Sequence, residues 1–326
     1  MISTERLVVT LPDPALLDGI GTPPDGAELR LWDLMAPAER PEEIGVVVPP
    51  YLTGDRGLPL LAGLPNLRLV QTLTAGFEHV VPFLPRDVAL ANAAGVHDAS
   101  TAELAVTLAL AVLRGLPDFV HAQDDRRWSD DEVIRRRSLA DRRVLVVGFG
   151  GVGRAVARRM LAFETTVTGV ATRSRPAGPD GVPVHATTEL PDLLPRHDVV
   201  VLATPLNDAT RGLVDAKFLA AMPDGAVLVN VARGGVVDTD ALLAELSRER
   251  IFAGLDVTDP EPLPPEHPLW GAPGVLISPH AGGATSAFLP RAVALLTDQL
   301  ERLSTGRRPR GIVLSSTWST SLTDGT

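Results

Sequence analysis

Three polar side chains, far apart in the sequence, carry complementary chemistry. Arg233 follows the apolar run AVLVNVA and precedes Gly234-Gly235. Glu261 lies in the proline-rich stretch DPEPLPPEHPLW. His280 follows VLISP and precedes Ala281-Gly282-Gly283. Each comes just after a run with the composition of a buried strand, and α/β sheets place their ligands at such strand ends. An arginine, a carboxylate and a histidine are what reduction of a 2-keto acid requires. The arginine binds the carboxylate and the carbonyl oxygen, the histidine supplies the proton, and the carboxylate keeps that histidine protonated near neutral pH. Singly, each is an ordinary loop residue; their weight depends on the scaffold that positions them.

The centre of that scaffold is VLVVGFGGVGRAVA, residues 144–157. Val144, Leu145, Val146 and Val147 predict a buried parallel strand. Gly148, Gly150 and Gly153 follow as G-x-G-x-x-G, with Gly151 and Val152 inside the motif. Val152, Ala155, Val156 and Met160 then recur at helical spacing. In a strand–turn–helix frame each glycine has a physical task. Gly148 permits the turn, Gly150 lets the backbone approach a pyrophosphate, and Gly153 lets helix and strand come close. The unpaired N–H groups of the helix start face the anion.

Cofactor choice is read from the end of the following strand. An acid there holds the adenosine ribose hydroxyls of NAD. This chain has Ala171, Thr172, Arg173, Ser174 and Arg175 instead. Hydroxyls and guanidinium groups suit a 2′-phosphate, so NADP(H) is favoured, with NAD(H) the alternative and exposed loop charges the bland reading.

Around this motif the second half predicts strands at 144–147, 166–170, 182–185, 198–203, 226–231, 252–256 and 275–278. Helices are predicted at 151–162, 190–194, 215–221 and 239–248. Such βα repeats imply right-handed crossovers and a doubly wound sheet. An alanine-rich helix at 284–303 follows, and the polar 315–326 tail has no core pattern and is expected to be disordered.

The first hundred residues predict a smaller α/β unit with a mostly parallel sheet: strands at 7–10, 29–32, 45–48, 67–71 and 88–91, and a helical piece near 58–64. Thr74-Ala75-Gly76 follows one of these strands and would expose backbone N–H groups able to hold a carboxylate; an ordinary turn is the alternative. Tyr51, the only tyrosine, follows Pro49-Pro50 and is either a substrate contact or a turn residue. Residues 99–120 predict one long apolar helix that crosses between domains or into a dimer partner, with Glu103 favourably placed in its first turns. In the charged stretch after it, Trp128 is either an interface anchor or packed on its own domain.

Composition excludes several function classes. Hydrophobic content of 45% with 21% charged residues is a globular profile, and 326 residues suffice for two domains. The formal net charge of −10 argues against nucleic acid, and the run Arg135-Arg136-Arg137 is expected on a solvated face. Without cysteine there are no disulfides or thiolate metal sites, and no metal is expected. No signal peptide or membrane-length apolar run is evident, so a cytoplasmic protein without a membrane partner is expected.

The stretches GFGGVG, ATPLNDATRGLVD, NVARGGVVDTDAL, GLDVTDPEPLPPEHPLW and ISPHAGG resemble those of the D-isomer-specific 2-hydroxyacid dehydrogenases, in the same order, over residues 67–300. The resemblance implies an α/β fold of two doubly wound parallel-sheet domains. A Rossmann cofactor domain, 97–288, is inserted into a smaller flavodoxin-like substrate domain, 1–96 and 289–326. It implies Arg233, Glu261 and His280 as the catalytic set. Thr204, Pro205, Val231, Ala232, Arg233 and Asp256 fall at the nicotinamide and its ribose, and His280 and Gly282 are further expected cofactor contacts. Thr74, Ala75 and Gly76 form the substrate-carboxylate loop, with Arg233 and His280 completing the substrate site. A homodimer joined through the cofactor domains is implied as well. Glutamate at 261 departs from the formate dehydrogenase branch, which has glutamine there. A regulatory extension of the kind many phosphoglycerate dehydrogenases carry is not expected. The loop LTAGFEHVV lacks a cation for a phosphate group, which favours a small unphosphorylated 2-keto acid. The same fold also serves nucleotide-sensing corepressors and a phosphite-type dehydrogenase, and both stand as alternatives.

Overall fold

The computed structural model describes residues 6–51, 53–128 and 136–315; Arg135 and nearly all of the 315–326 tail lie outside them. The chain divides into two compact units. One is the chain up to His97 together with the chain from Ser286, and the other is Asp98–Thr285.

The first unit opens with β1 (Leu7–Leu11), α1 (Pro14–Ile20), β2 (Ala27–Leu31), β3 (Ile44–Val47), β4 (Leu69–Gln71) and β5 (Ala89–Ala91). The second unit then runs through α2 (Asp98–Arg114), α3 (Leu116–Asp124), β6 (Arg143–Val147), α4 (Gly151–Leu161), β7 (Thr166–Ala171), β8 (Val184–Ala186) and α5 (Leu190–Leu193). It continues with β9 (Val199–Leu202), α6 (Ala216–Ala221), β10 (Val227–Asn230), α7 (Thr239–Ser247), β11 (Phe252–Leu255) and β12 (Val275–Ile277). Helix α8 (Phe288–Ser304) and β13 (Ile312–Leu314) return the chain to the first unit.

The first sheet has the order β13-β5-β4-β3-β1-β2 and is parallel except for β13, which pairs antiparallel with β5. Alternate residues serve opposite faces. Val9, Leu11, Val46 and Leu69 meet Leu16 of α1 and Ala292, Leu296 and Leu300 of α8. Val8, Val47, Val70 and Leu90 meet Leu58 and Leu61. Covering both faces explains strands with no polar alternation. The five predicted strands are present within about two residues. The 58–64 piece is a 3₁₀ helix, Leu58–Gly63. The sequence reading did not anticipate α1 or β13. Helix α1 starts at Asp13, whose side chain accepts from Ala15 N–H at 2.7 Å, with Pro14 beginning the helix.

The second sheet, β12-β11-β10-β9-β6-β7-β8, is parallel throughout. Strand β6 sits where the order reverses, with β7 on one side and β9 on the other, which makes its C-terminal end the switch point at which such sheets take ligands. Val144 and Val146 face the core that holds α2 and α4; Leu145 and Val147 face the core that holds Phe218, Leu242 and Leu246. Each fully buried side chain of this size contributes about 1.5–3 kcal/mol.

The 99–120 helix divides into α2 and α3, bent by 67° at Gly115, whose φ of 61° is left-handed. Ala102, Ala105, Leu108, Ala109 and Leu113 of α2 are buried in their own unit's core. A Cβ on Gly254 of β11 would come within 2.8 Å of Leu108 Cβ, so that glycine lets α2 lie on the sheet. Glu103 pairs with Arg159 at 3.2 Å one turn into α2, a more specific role than the dipole alone. Arg136 pairs with Asp118, and Arg137 stacks over Phe252 while donating to Gly225 O. The closing helix begins at Phe288, four residues later than predicted, and the 182–185 strand shifts to Val184–Ala186 because Pro183 has no N–H to donate. Among the described residues no single helix is long and apolar enough to cross a membrane.

Candidate active site

At the end of β6 the glycines differ in what surrounds them. Gly148 has φ 98°, and a Cβ there would lie 2.5 Å from the Ala203 carbonyl and 2.6 Å from Thr204 N, the start of the turn after β9. A Cβ on Gly153 would overlap the Gly148 carbonyl oxygen, so helix and turn close only on hydrogen. A Cβ on Gly150 would meet nothing within 4 Å. The backbone therefore borders open space at the N-terminus of α4, where the first-turn amides of Gly151, Val152 and Gly153 have no helical acceptor. Thr204 Oγ1, beside Pro205, is buried with no hydrogen-bond partner among the described residues. An open cradle at a helix start and an orphaned hydroxyl next to it fit a nicotinamide dinucleotide.

Past the end of β7, Thr172, Arg173, Ser174 and Arg175 are exposed. Arg175 turns back, donating to Phe149 O at 2.9 Å with its guanidinium 5.7 Å from the Phe149 ring. Arg173 forms no ion pair or hydrogen bond among the described residues.

Three strand ends converge the polar residues of this unit. After β10, Asn230 Oδ1 accepts from Ala232 N–H at 3.0 Å and its amide donates to Arg233 O at 3.1 Å, forming the tight turn that projects Arg233. Val231 and Ala232 are buried in that turn, and Arg233 is half-buried, donating to Ala232 O at 2.7 Å. After β11, Asp256 is buried and both of its carboxylate oxygens are taken. Oδ1 accepts from Ser278 Oγ and Ala281 N–H, each at 2.7 Å, and Oδ2 accepts from Gly282 N–H at 2.9 Å. Asp256, expected near nicotinamide or ribose, thus ties down the loop that carries His280. Gly282 belongs to the same clasp, since a Cβ there would lie 2.9 Å from Asp256 Oδ2.

His280 has φ 52°, a left-handed conformation that costs a non-glycine residue about 1 kcal/mol or more. Its N–H donates to Asp256 O at 2.8 Å, so the clasp sustains that strain. The imidazole Nδ1 lies 2.5 Å from Glu261 Oε1. The hydrogen bond from His280 holds the Glu261 carboxyl below the usual carboxylate range, with burial opposing and a backbone bond from Thr258 and the charge of Arg233 assisting. An ionised Glu261 accepts only, so Nδ1 carries the proton and Nε2 takes no part in that pair. The two side chains remain 44% and 39% exposed, open to a small reactant.

In the first unit, the turn after β4 is polarised peptide by peptide. Leu73 O accepts from His97 Nε2 at 2.7 Å, Thr74 O from Thr72 Oγ1 and Ala93 N–H at 2.9 Å each, and Ala75 O from Asn92 Nδ2 at 2.8 Å. Gly76 O accepts from Thr74 Oγ1 at 2.6 Å. The N–H groups of Thr74, Ala75 and Gly76 find no acceptor among the described residues. Consecutive free amides with every carbonyl engaged are an arrangement able to hold an anion without a charged side chain. Tyr51 stacks with both His97 (5.2 Å) and Phe288 (4.4 Å), which also stack with each other. Trp128 is 90% exposed, not packed on its own unit. No three His, Asp or Glu side chains among the described residues are arranged to hold a metal ion. The sequence reading missed Asn230, Ser278, Asn92 and His97. Only Asn230, polar inside AVLVNVA, carried a local signal.

The sheet order, the glycine turn and the His–Glu pair define a dinucleotide-dependent dehydrogenase. The family model for the NAD-binding domain of D-isomer specific 2-hydroxyacid dehydrogenases matches residues 106–282, and the chain belongs to that family. It is an NAD(P)-dependent 2-hydroxyacid dehydrogenase. The human glyoxylate reductase/hydroxypyruvate reductase is 34% identical over 228 residues, 68% of this chain and 69% of that protein. A glyoxylate reductase from Thermofilum pendens is 31% identical over 269 residues, covering 80% and 79%. The crystal structure of a D-isomer specific 2-hydroxyacid dehydrogenase from Xanthobacter autotrophicus, in complex with NADPH and MES, superposes with a TM-score of 0.78 at 30% identity over 95% of this chain and 98% of that one.

Proposed function

We propose that this enzyme reduces a small, unphosphorylated 2-keto acid such as glyoxylate or hydroxypyruvate to the D-2-hydroxy acid, with NADPH the favoured donor. The observation that carries the reading is the 2.5 Å Glu261–His280 pair, held on a strained loop with Arg233 close enough to influence Glu261. The names of the human and Thermofilum relatives support the substrate class. The NADPH preference draws on the absence of an acid past β7, the unengaged Arg173 and the NADPH complex of the Xanthobacter relative.

The Gly148–Gly153 turn, the α4 N-terminus, Thr204 and Pro205 would hold the dinucleotide, with Thr172–Arg175 toward a 2′-phosphate. When bound, it supplies the hydride that the keto carbon accepts. His280 Nε2 gives its proton to the carbonyl oxygen, and Glu261 balances the imidazolium charge beforehand. Arg233 stabilises the charge that develops on that oxygen. The amides of Thr74, Ala75 and Gly76 bind the substrate carboxylate, which makes the first unit the substrate domain. Leu116 and Val120 lie one turn apart on α3 and are exposed with Trp128, and we assign them to a homodimer contact between cofactor domains.

The deciding experiment is oxidation of NADPH, and in parallel NADH, with glyoxylate, hydroxypyruvate, pyruvate and phenylpyruvate. Rapid NADPH loss with one of the small acids is expected. A clear NADH preference overturns the cofactor assignment alone. No turnover despite tight NADPH binding overturns the reductase reading in favour of a nucleotide sensor or a phosphite-type dehydrogenase.

A further inference from the structure

We propose that His97 and Asn92 are positioning residues that set the affinity for the substrate carboxylate by preventing peptide rotation in the 73–76 turn; this rests on the reading of that turn as the carboxylate site. A trans peptide group is planar, with its C=O and N–H on opposite sides, so fixing one oxygen fixes the direction of the adjoining N–H. Leu73 O shares a plane with Thr74 N–H, Thr74 O with Ala75 N–H, and Ala75 O with Gly76 N–H. His97 therefore aims the Thr74 amide and Asn92 the Gly76 amide, while Thr72 and Ala93 aim the one between. The last peptide is the freest to turn over, because glycine tolerates both signs of φ. A flip there would turn an acceptor toward the anion in place of a donor.

Both residues are themselves braced by the returning end of the chain. The His97 ring is parallel to Phe288 of α8 within 4°, at 5.4 Å, and stacks with Tyr51. Asn92 N–H donates to Gly311 O at 2.9 Å, beside β13. Gln299 of α8 bonds Gln71 Oε1 at 2.5 Å and both backbone groups of Arg310, so α8 also fixes the end of β4 and the approach to β13. Nothing in the sequence around 73–76 reveals these supports.

The test separates the donor from the ring. His97→Phe keeps a ring in the stack and removes the N–H; His97→Gln keeps an amide donor and removes the ring. Asn92→Ala, at a half-buried position, gives an independent reading should the phenylalanine overfill its site. The expected result is a KM for the keto acid, and a Kd for oxamate, raised about tenfold in His97→Phe and Asn92→Ala, the loss of one hydrogen bond that orders a charge-binding group. In the same variants kcat stays within about twofold and NADPH affinity is unchanged, while His97→Gln stays near the parent. Parent-like KM and oxamate affinity in both donor-less variants overturns the proposal. So does a parallel loss of kcat, NADPH affinity and Tm, which marks a purely structural role. Failure of the unmodified enzyme to reduce any 2-keto acid removes the underlying reading instead, and the proposal with it.

Discussion

Two turns of the molecule leave backbone amides without acceptors among the described residues, the two we propose as anion sites, and they are built in opposite ways. The turn after β6 is assembled from its own residues. Four glycines within six positions allow the backbone to fold on itself, and the following helix supplies the amides. The turn after β4 has a single glycine and no following helix. Its amides are aimed by Thr72, Asn92, Ala93 and His97, and two of these are braced by α8 and β13, more than 190 positions further along the chain. A local site depends on what is absent from its side chains; a supported one depends on what other segments donate. The first survives changes elsewhere and fails on a single added carbon. The second tolerates changes within itself and fails from a distance.

The largest expected effect isolates chemistry from both turns. His280→Ala should lower kcat by roughly 10²–10⁴ while NADPH and oxamate still bind; a kcat near the parent's would end the assignment of His280 as proton donor. Next comes Gly150→Val. Its side chain has room within the protein, so Tm should match the parent, yet it fills the space beside the α4 N-terminus and should weaken NADPH binding by about 10²-fold. Unchanged NADPH affinity by fluorescence titration would remove the pyrophosphate from that turn. Gly311→Ala is the distant counterpart. A Cβ there, at φ 67°, would come 2.6 Å from Asn92 O, so the keto-acid KM should rise about threefold with NADPH affinity intact. If KM does not move, the turn after β4 is as self-contained as the other.

The smallest effect concerns pH. The Glu261 carboxyl titrates below its ordinary value, so its pairing with His280 contributes stability above the unfolded carboxylate pKa of about 4.3, and that contribution is lost as pH falls through the lower folded value. The pair is too exposed for a large contribution. Melting of Glu261→Gln against the parent should therefore differ by at most a few degrees near neutral pH, and the two should converge in acid. A gap that widens on acidification would contradict the ionised, hydrogen-bonded Glu261.

The same contrast explains what the sequence disclosed. The parallel strands, the glycine turn and the strand-end placement of Arg233, Glu261 and His280 all follow from short-range patterns of apolar residues and glycine. Helix α1 was equally local, with Asp13 capping and Pro14 leading, but it lay unassigned between the strands read at 7–10 and 29–32. The break at Gly115 was hidden because the apolar pattern continues across it. The inward turn of Asp256, and the roles of Asn92 and His97, depend on partners 17 to 26 residues away or more, which no window of sequence encloses.

The return of the chain through α8 and β13 also sets the order in which the protein can be completed on the ribosome. Asp98–Thr285 is continuous, so every strand of the nucleotide-binding sheet has been synthesised before the first residue of α8. The first sheet begins earlier and finishes last. Val9, Leu11, Val46 and Leu69 wait for Ala292, Leu296 and Leu300 to cover them, and β5 keeps an unpaired edge until β13 arrives. A nascent chain stalled near Ser286 would carry a complete dinucleotide fold joined to an adhesive half-sheet, the form of this protein most in need of a chaperone.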